Sequence, residues 1–534
     1  MIGRLLALLL LGAALVAAPS VAPEARPSAP IIPRLPGDAL HEVMRGIYAV
    51  LEDEQPGYPT FAAVVPHHLT STEAIAAGVR MLSGERRGRV VLLSPDHFGE
   101  CPALLCVARA PFRSLLGDIR TDAAAITALA RSPLVTATDA PFEREHGIGA
   151  VLPYLAHFLP DTPVVAVVVS QRLAWRNAAG ELADLLGEAL GPDGALLVST
   201  DFSHFLPLEE ADLKDAATIR ALLAYDLPGL ARVEAPAQSD CPPCLWLLSE
   251  LTLRNDAPNP SVLRHTNSAK LLGDPAAAET TSHFAIAYYR NAALSPDDLS
   301  LGGDLTLTRG LPPALPEEIA AFWAGNGPRI VNLEGPLAEE CELSPHPYRF
   351  CNDFANWREV ADLATHWVIA NNHAWDLGPE GPAETARLLS SANETALDGV
   401  SDVAGWRVVA ITATVNPSDG APSVSREGLL ALTRSASGSA PVLAYVHIGT
   451  EGEALPAPHD AAFLRSLVDA GADAVVAVHS HVPGDVDVHH GRPIFRGLGN
   501  FLFDQHAEAA TSTAKVVRLR AQGGHVLFQT AIAR

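Results

Sequence analysis

Several things are scarce in this 534-residue chain, and each shortage narrows what it does. Lysine and arginine together number 37 against 61 aspartates and glutamates, a net charge of −24, and the basic residues form no cluster. Phosphate contacts need cationic side chains, so the balance argues against nucleic acid or anionic lipid as a main partner. Beyond residue 20 no unbroken apolar run is long enough to cross a bilayer. There is no internal repeat at solenoid period. Only six cysteines occur, and the CxxC at 241–244 has no second CxxC to complete a four-thiolate zinc site.

The N-terminus is different. Arg4 precedes an apolar run, Leu5 to Val16, and small residues follow it, the order of a secretory signal over residues 1–22. An uncleaved anchor is the alternative, and membrane contact is expected only through this segment in that case. Prolines 19, 23, 27, 30, 33 and 36 then predict a stiff linker over residues 23–40. The expected location is therefore periplasmic or extracellular. In that oxidising setting the cysteines pair as Cys101/Cys106, Cys241/Cys244 and Cys341/Cys351, each a local staple. A redox pair or half of a zinc site are the other readings of "SDCPPCLW".

Strand-like runs such as "FAAVV", "RVVLLS", "PVVAVVVS" and "ALLVST" alternate with amphipathic stretches up to about residue 290, predicting a first α/β domain over 41–292. A second begins at "NAALSPDD" and covers 293–534. Its strands, "RIVNLEG", "HWVIANNH", "RVVAITA", "PVLAYVHIG" and "ADAVVAVHSHV", concentrate polar residues at their C-terminal ends. These are Asp304, Glu334, Asn371, Asn372, His373, His447, His479 and His481. C-terminal strand ends of an α/β sheet converge on one crevice. Carboxylate, amide and imidazole delivered there suit zinc, manganese or iron. For a single such histidine a hydrogen-bonded loop residue is the plainer account; for five or six loops making the same choice, a shared cluster is the better one. Two histidines at i and i+2 reach two ions and a carboxylate bridges them, an arrangement in which metals about 3.5–4 Å apart generate hydroxide and clamp an oxyanion.

The motifs "GGDLTLTR", "NLEGPL" (332–337), "ANNHAWDLG" (370–378), "HIGTE" (447–451), "HSHVPG" (479–484) and "IFRGLGNFLFD" (494–504) resemble the capsule synthesis protein CapA family, associated with poly-γ-glutamate and capsule biogenesis. The resemblance covers nearly all of 296–534 and implies a calcineurin-like metallophosphoesterase α/β sandwich. It further implies that Asp304, Glu334, Asn372, His447, His479 and His481 ligate two divalent metals (Mn, Zn or Fe), with His373 as acid/base or oxyanion partner. Val478 stands where Gly is usual, and Ile448 where Trp is usual.

In the first half, His67 and His97 each follow a strand, in "VVPHHLTS" (64–71) and "LLSPDHF" (92–98), with His68 a competitor for His67. Two imidazoles with a third ligand leave coordination positions open for substrate. His146 in "EREHGIGAVLPYL", and Asp201 and His204 in "STDFSHF", are candidate acid/base groups or supports. With "DCPPCLWLL" (240–248), these motifs resemble the Memo family, related to class III extradiol dioxygenases and known in prokaryotes as AmmeMemoRadiSam system protein B. The resemblance covers roughly 58–290. It implies one Fe, Cu or Zn held by His67, His97 and Cys241; here Pro242-Pro243 replace the usual glycine-rich run, and Cys244 competes for Cys241.

The expected function is an exported metal-dependent hydrolase of an envelope phosphoester or polymer linkage. The rivals are a non-hydrolytic assembly or export factor, and iron-dependent oxygenase or redox chemistry in the first half.

Overall fold

The structure, a computed structural model, describes residues 29–52, 59–341, 349–414, 425–503 and 509–533. The expected signal at 1–22 and the start of the linker lie outside these residues. No described helix is long and apolar enough to cross a membrane.

Runs such as Val164–Val169, apolar at every position, form interior strands of a sheet covered on both faces. In the first α/β domain the strands Thr60–Val65, Gly194–Ser199, Arg89–Pro95 and Val164–Val169 are consecutive and parallel at the centre of a nine-stranded sheet. Alternate residues feed two cores: Val91 and Leu93 point one way, Val90 and Leu92 the other. Helices Ala39–Val50, Thr72–Met81 and Leu152–Phe158 cover one face; Trp175–Leu190 and Pro242–Arg254 cover the other.

The second α/β domain is a sandwich. One sheet contains Leu299–Leu305, Arg329–Leu333 and His366–Val368, the other Trp406–Thr412, Val442–His447 and Ala474–Val478. Leu301 and Ile330 of the first and Val408, Leu443 and Val476 of the second fill the space between them. The Tyr445 hydroxyl donates to the Gly302 carbonyl across that space at 2.6 Å. Helices Glu317–Trp323 and Gly381–Ser391 pack outside one sheet, Arg426–Ala436 and Pro458–Asp469 outside the other.

Two features depart from the sequence reading. The linker does not stand free: Ile31 is buried and bridges to Phe112, and the Arg34 amide donates to the Glu143 carbonyl at 3.0 Å. Helix Ala39–Val50 begins inside the 23–40 stretch. An apolar Ile31 beside Phe112 gains from leaving water, which docks the segment. The domains also do not keep wholly separate cores. Val262 and Phe284 of the first join Phe495 and Phe528 of the second in one apolar cluster, and Gln529 Nε2 donates to Asn291 Oδ1 at 2.9 Å. All three cysteine pairs are disulfides as the spacing predicts, and no described cysteine is free.

Replacing Tyr445 with Phe removes the donor for a buried carbonyl. Tyr445→Phe is expected to lower stability by about 1–3 kcal/mol, read as a lower urea midpoint with unchanged far-UV dichroism. An unmoved midpoint would show that this bond does not tie the sheets together.

Candidate metal centres

The strands of each second-domain sheet named above run parallel, so their C-terminal ends share one edge of the sandwich. Asp304 is the penultimate residue of its strand and His447 the last. Glu334 and His479 come immediately after theirs, and Asn372 and His373 sit on the turn after Val368. His479 and His481 hold left-handed backbone conformations, with φ of 106° and 58°, sparsely populated for non-glycine residues.

The side chains form one buried network. Asn372 Oδ1 and His447 Nε2 are 2.7 Å apart, and Glu334 Oε1 lies 3.8 Å from both His447 Nε2 and His481 Nε2. Asp304 Oδ2 is 3.5 Å from His481 Nδ1 and accepts from the His479 amide at 3.0 Å. Glu334, His479 and His481 offer ligand atoms within 4.8 Å of one another. Burial pushes the Glu334 carboxyl well above its usual range, helped by Asp304. Burial also raises Asp304, against the pull of His481 and the Asn332 amide. His447 is driven well below its usual value by burial and by His479 and His481; His479 falls to about 3 by burial and the charge of His481. Both Glu334 oxygens and His479 Nδ1 are buried without a hydrogen-bond partner. A donor set of carboxylate, imidazole and amide oxygen, with those atoms turned inward, fits divalent cations.

His373 stands beside this network. Its Nδ1 is 2.8 Å from Asp376 Oδ2, and the Phe350 ring stacks on it at 4.0 Å and 15°. Asp376 also accepts from the Phe350 amide at 2.6 Å. The reading of the sequence missed Asp376, Asn332 and Asn500. Asn332 donates to Asp304 at 2.8 Å, and Asn500 Oδ1 lies 2.9 Å from His481 Nδ1. All three sit inside the quoted motifs, but each backs another polar side chain and does not itself terminate a strand that enters the cluster.

In the first domain, three adjacent parallel strands deliver His67, Asp201 and His97 just past their ends. His67 Nε2 is 3.1 Å from Asp201 Oδ2 and 3.1 Å from Asp240 Oδ2, and His97 Nε2 is 3.4 Å from Asp240 Oδ2. His146 stacks near His97, ring centres 4.0 Å apart, and His204 faces His68 at 6.1 Å. Burial, with His67 and His97, lowers His146 to about 4, leaving a neutral ring at physiological pH. Burial opposes charge on His97 too, but the nearby carboxylates of Asp240 and Glu145 outweigh it and raise His97 to about 10. For Asp201 burial is likewise overcome, and His67 and His283 hold the carboxyl well below its usual range.

Cys241 is not the third ligand. It is bonded to Cys244, is fully buried, and belongs to the apolar core, so it has no thiolate to offer. The neighbouring Asp240 supplies a carboxylate to the histidines in its stead. Asp240, Glu145 and His283 were all missed by the sequence reading. Asp240 and Glu145 abut residues that were singled out, whereas His283 lies near the start of an antiparallel strand, which brings its beginning to the edge where the parallel strands end.

Comparison with known proteins finds a different family in each half of the chain. Residues 39–240 match the Memo-like protein family, and residues 401–505 match the bacterial capsule synthesis protein PGA_cap. The first half of the chain is thus similar to Memo-like proteins, and part of the second to capsule synthesis proteins. Over 188 residues, 30% of this chain and 45% of the relative, it is 31% identical to the capsule biosynthesis protein CapA of Bacillus anthracis. Over 147 residues, 27% of this chain and 52% of the relative, it is 29% identical to a MEMO1 family protein of Methanopyrus kandleri. The chain thus spans about half the length of each of these two relatives. A MEMO1 family protein of Aeropyrum pernix is 28% identical over 200 residues, 37% of this chain and 71% of the relative. The Memo-like match ends at Asp240, and the PGA_cap match contains His447, His479 and His481 but not Asp304, Glu334 or Asn372.

A raised folded-state carboxyl means that the folded protein binds the proton more tightly, so the metal-free protein loses stability as pH rises above the ordinary carboxyl range. In chelator-treated protein, Glu334→Gln is expected to raise stability at pH 8 by about 1–3 kcal/mol by removing an unpaired buried charge. The gain should vanish as pH falls below the ordinary carboxyl range, where both states are protonated. Thermal melts across pH check this; a loss of stability at pH 8 would show that Glu334 is already compensated.

Proposed function

We propose that this chain is an exported, divalent-metal-dependent hydrolase acting on a phosphoester or polymer linkage in capsular or poly-γ-glutamate biogenesis at the cell envelope. The observation that carries the reading is the Glu334 carboxylate, fully buried with both oxygens unpartnered and facing His447 and His481. Likeness to capsule synthesis proteins supports the biological setting. The N-terminal pattern of charged, apolar and small residues supports export.

Asp304, Glu334, Asn372, His447, His479 and His481 would hold the cations. When bound, these supply Lewis acidity toward an oxyanion and a lowered pKa for attacking water. Asp376 accepts the Nδ1–H of His373, which leaves Nε2 as the nitrogen that takes up a proton from the attacking water and passes it to a leaving oxygen. Phe350 fixes the plane of that ring and shields it from water. Arg349, anchored through Nε on the Asp376 carbonyl at 2.8 Å, keeps its other guanidinium donors for an anionic substrate, in a chain whose net charge of −24 would otherwise repel one.

His373→Ala is expected to retain metal and to lower turnover of a chromogenic phosphodiester by about 10²–10⁴-fold. His479→Ala is expected to lose both metal and turnover. Elemental analysis and steady-state kinetics decide the matter. If the wild-type chain restores capsule in a deletion strain and His373→Ala restores it equally well, the hydrolase reading fails and a non-catalytic assembly role replaces it.

A further inference from the structure

The first-domain cluster contains more converging ligand atoms than a single ion uses. Asp201 Oδ2 lies 3.1 Å from His67 Nε2 and 2.9 Å from His68 Nδ1. Asp240 Oδ2 lies 3.1 Å from that same His67 nitrogen and 3.4 Å from His97 Nε2. One imidazole nitrogen carries at most one proton, so His67 cannot donate to both carboxylates. Asp201 Oδ2, Asp240 Oδ2, His67 Nε2 and His68 Nδ1 are all buried without a hydrogen-bond partner of acceptable geometry. The separations are those of ligand atoms around a common cation: two donors each about 2.1 Å from a tetrahedral ion stand roughly 3.4 Å apart.

His67, Asp201 and Asp240 form one compact set of ligand atoms, which His97 joins through Asp240 and which overlaps a set of His67, His97 and His146; His68, Asp201 and His204 form another. Asp201 is common to both. Most of the remaining atoms of these ligands are fixed from behind, as metal ligands usually are. His67 Nδ1 meets Ser199 Oγ at 3.2 Å, and His97 Nδ1 meets Glu145 Oε1 at 2.6 Å. His204 Nδ1 meets the Phe202 carbonyl at 2.6 Å, leaving Nε2 as the free nitrogen. Asp201 Oδ1 meets His283 Nδ1 at 2.9 Å, and Asp240 Oδ1 accepts from Thr200 Oγ1 at 2.6 Å.

We propose that the first domain holds two divalent cations side by side, one on His67, His97 and Asp240 and the other on His68 and His204, with the Asp201 carboxylate bridging them. The donors are nitrogen and oxygen only, because the Cys241–Cys244 disulfide withholds sulfur. The pair therefore takes zinc, manganese or ferrous iron and not cuprous copper, which favours thiolate and thioether. His68, whose side chain is 43% exposed, marks the open side where a substrate would reach the second ion. None of this rests on the hydrolase reading of the second domain.

The test uses the full chain with its disulfides intact, carrying His479→Ala and His481→Ala to remove the second domain's contribution. The protein is stripped with chelator, loaded with manganese(II) and counted by elemental analysis and by paramagnetic resonance. Two equivalents per chain with an exchange-coupled spectrum are expected. Adding His68→Ala with His204→Ala should remove one equivalent and the coupling; adding Asp240→Asn should remove the other; adding Asp201→Ala should remove the coupling and lower both. One equivalent with an uncoupled spectrum before any first-domain change overturns the proposal, and needs no further variant to fold. So does full retention of manganese after the His68 and His204 changes, which would leave those two residues to a substrate beside a single ion.

Discussion

A fully buried carboxylate that no N–H or O–H reaches is among the least favourable groups a chain can fold around. Glu334 is such a group, and Asp201 and Asp240 each turn one such oxygen inward. Each stands at an edge where the surrounding strands have run out of backbone partners. The stability of the apolar sheets behind them is what permits this. Interior strands such as Val164–Val169 and Val442–His447 are buried at every position and hold the edge residues in place regardless of what those residues would prefer.

Both domains therefore solve one geometrical problem in the same way, from different parts. In the first, the parallel strands at the centre of one sheet bring three neighbouring ends together, and residues just ahead of two helices add Glu145 and Asp240. In the second, two sheets face each other, and the ends of both contribute. The sandwich adds the strained turn of His479 and His481, whose left-handed backbone aims two rings into one space. The single-sheet site is more open, since His68 reaches solvent, while Glu334 and His447 do not.

Much of this was legible in the sequence. The strands announce themselves by uninterrupted β-branched runs, and their polar terminators by position, so Asp304, Glu334, Asn372, His447, His479, His481, His67 and His97 all lie where the pattern put them. What stayed hidden has physical reasons. Asn332, Asn500 and Asp376 contact Asp304, His481 and His373 from behind, and support of that kind leaves no periodic trace. His283 is carried by a strand running the other way. The Cys241–Cys244 staple expected from the spacing is present, so the ligand role that the resemblance implied for Cys241 has no thiolate behind it; Asp240 gave no signal because a lone carboxylate before a cysteine pair has no pattern of its own.

The apolar cluster that runs from Val262 and Phe284 into Phe495 and Phe528 joins the halves by more than the chain between them. Drawing the halves apart would return these side chains to water, which opposes their separation. A change of side-chain volume on one side of this seam is therefore felt by the packing on the other.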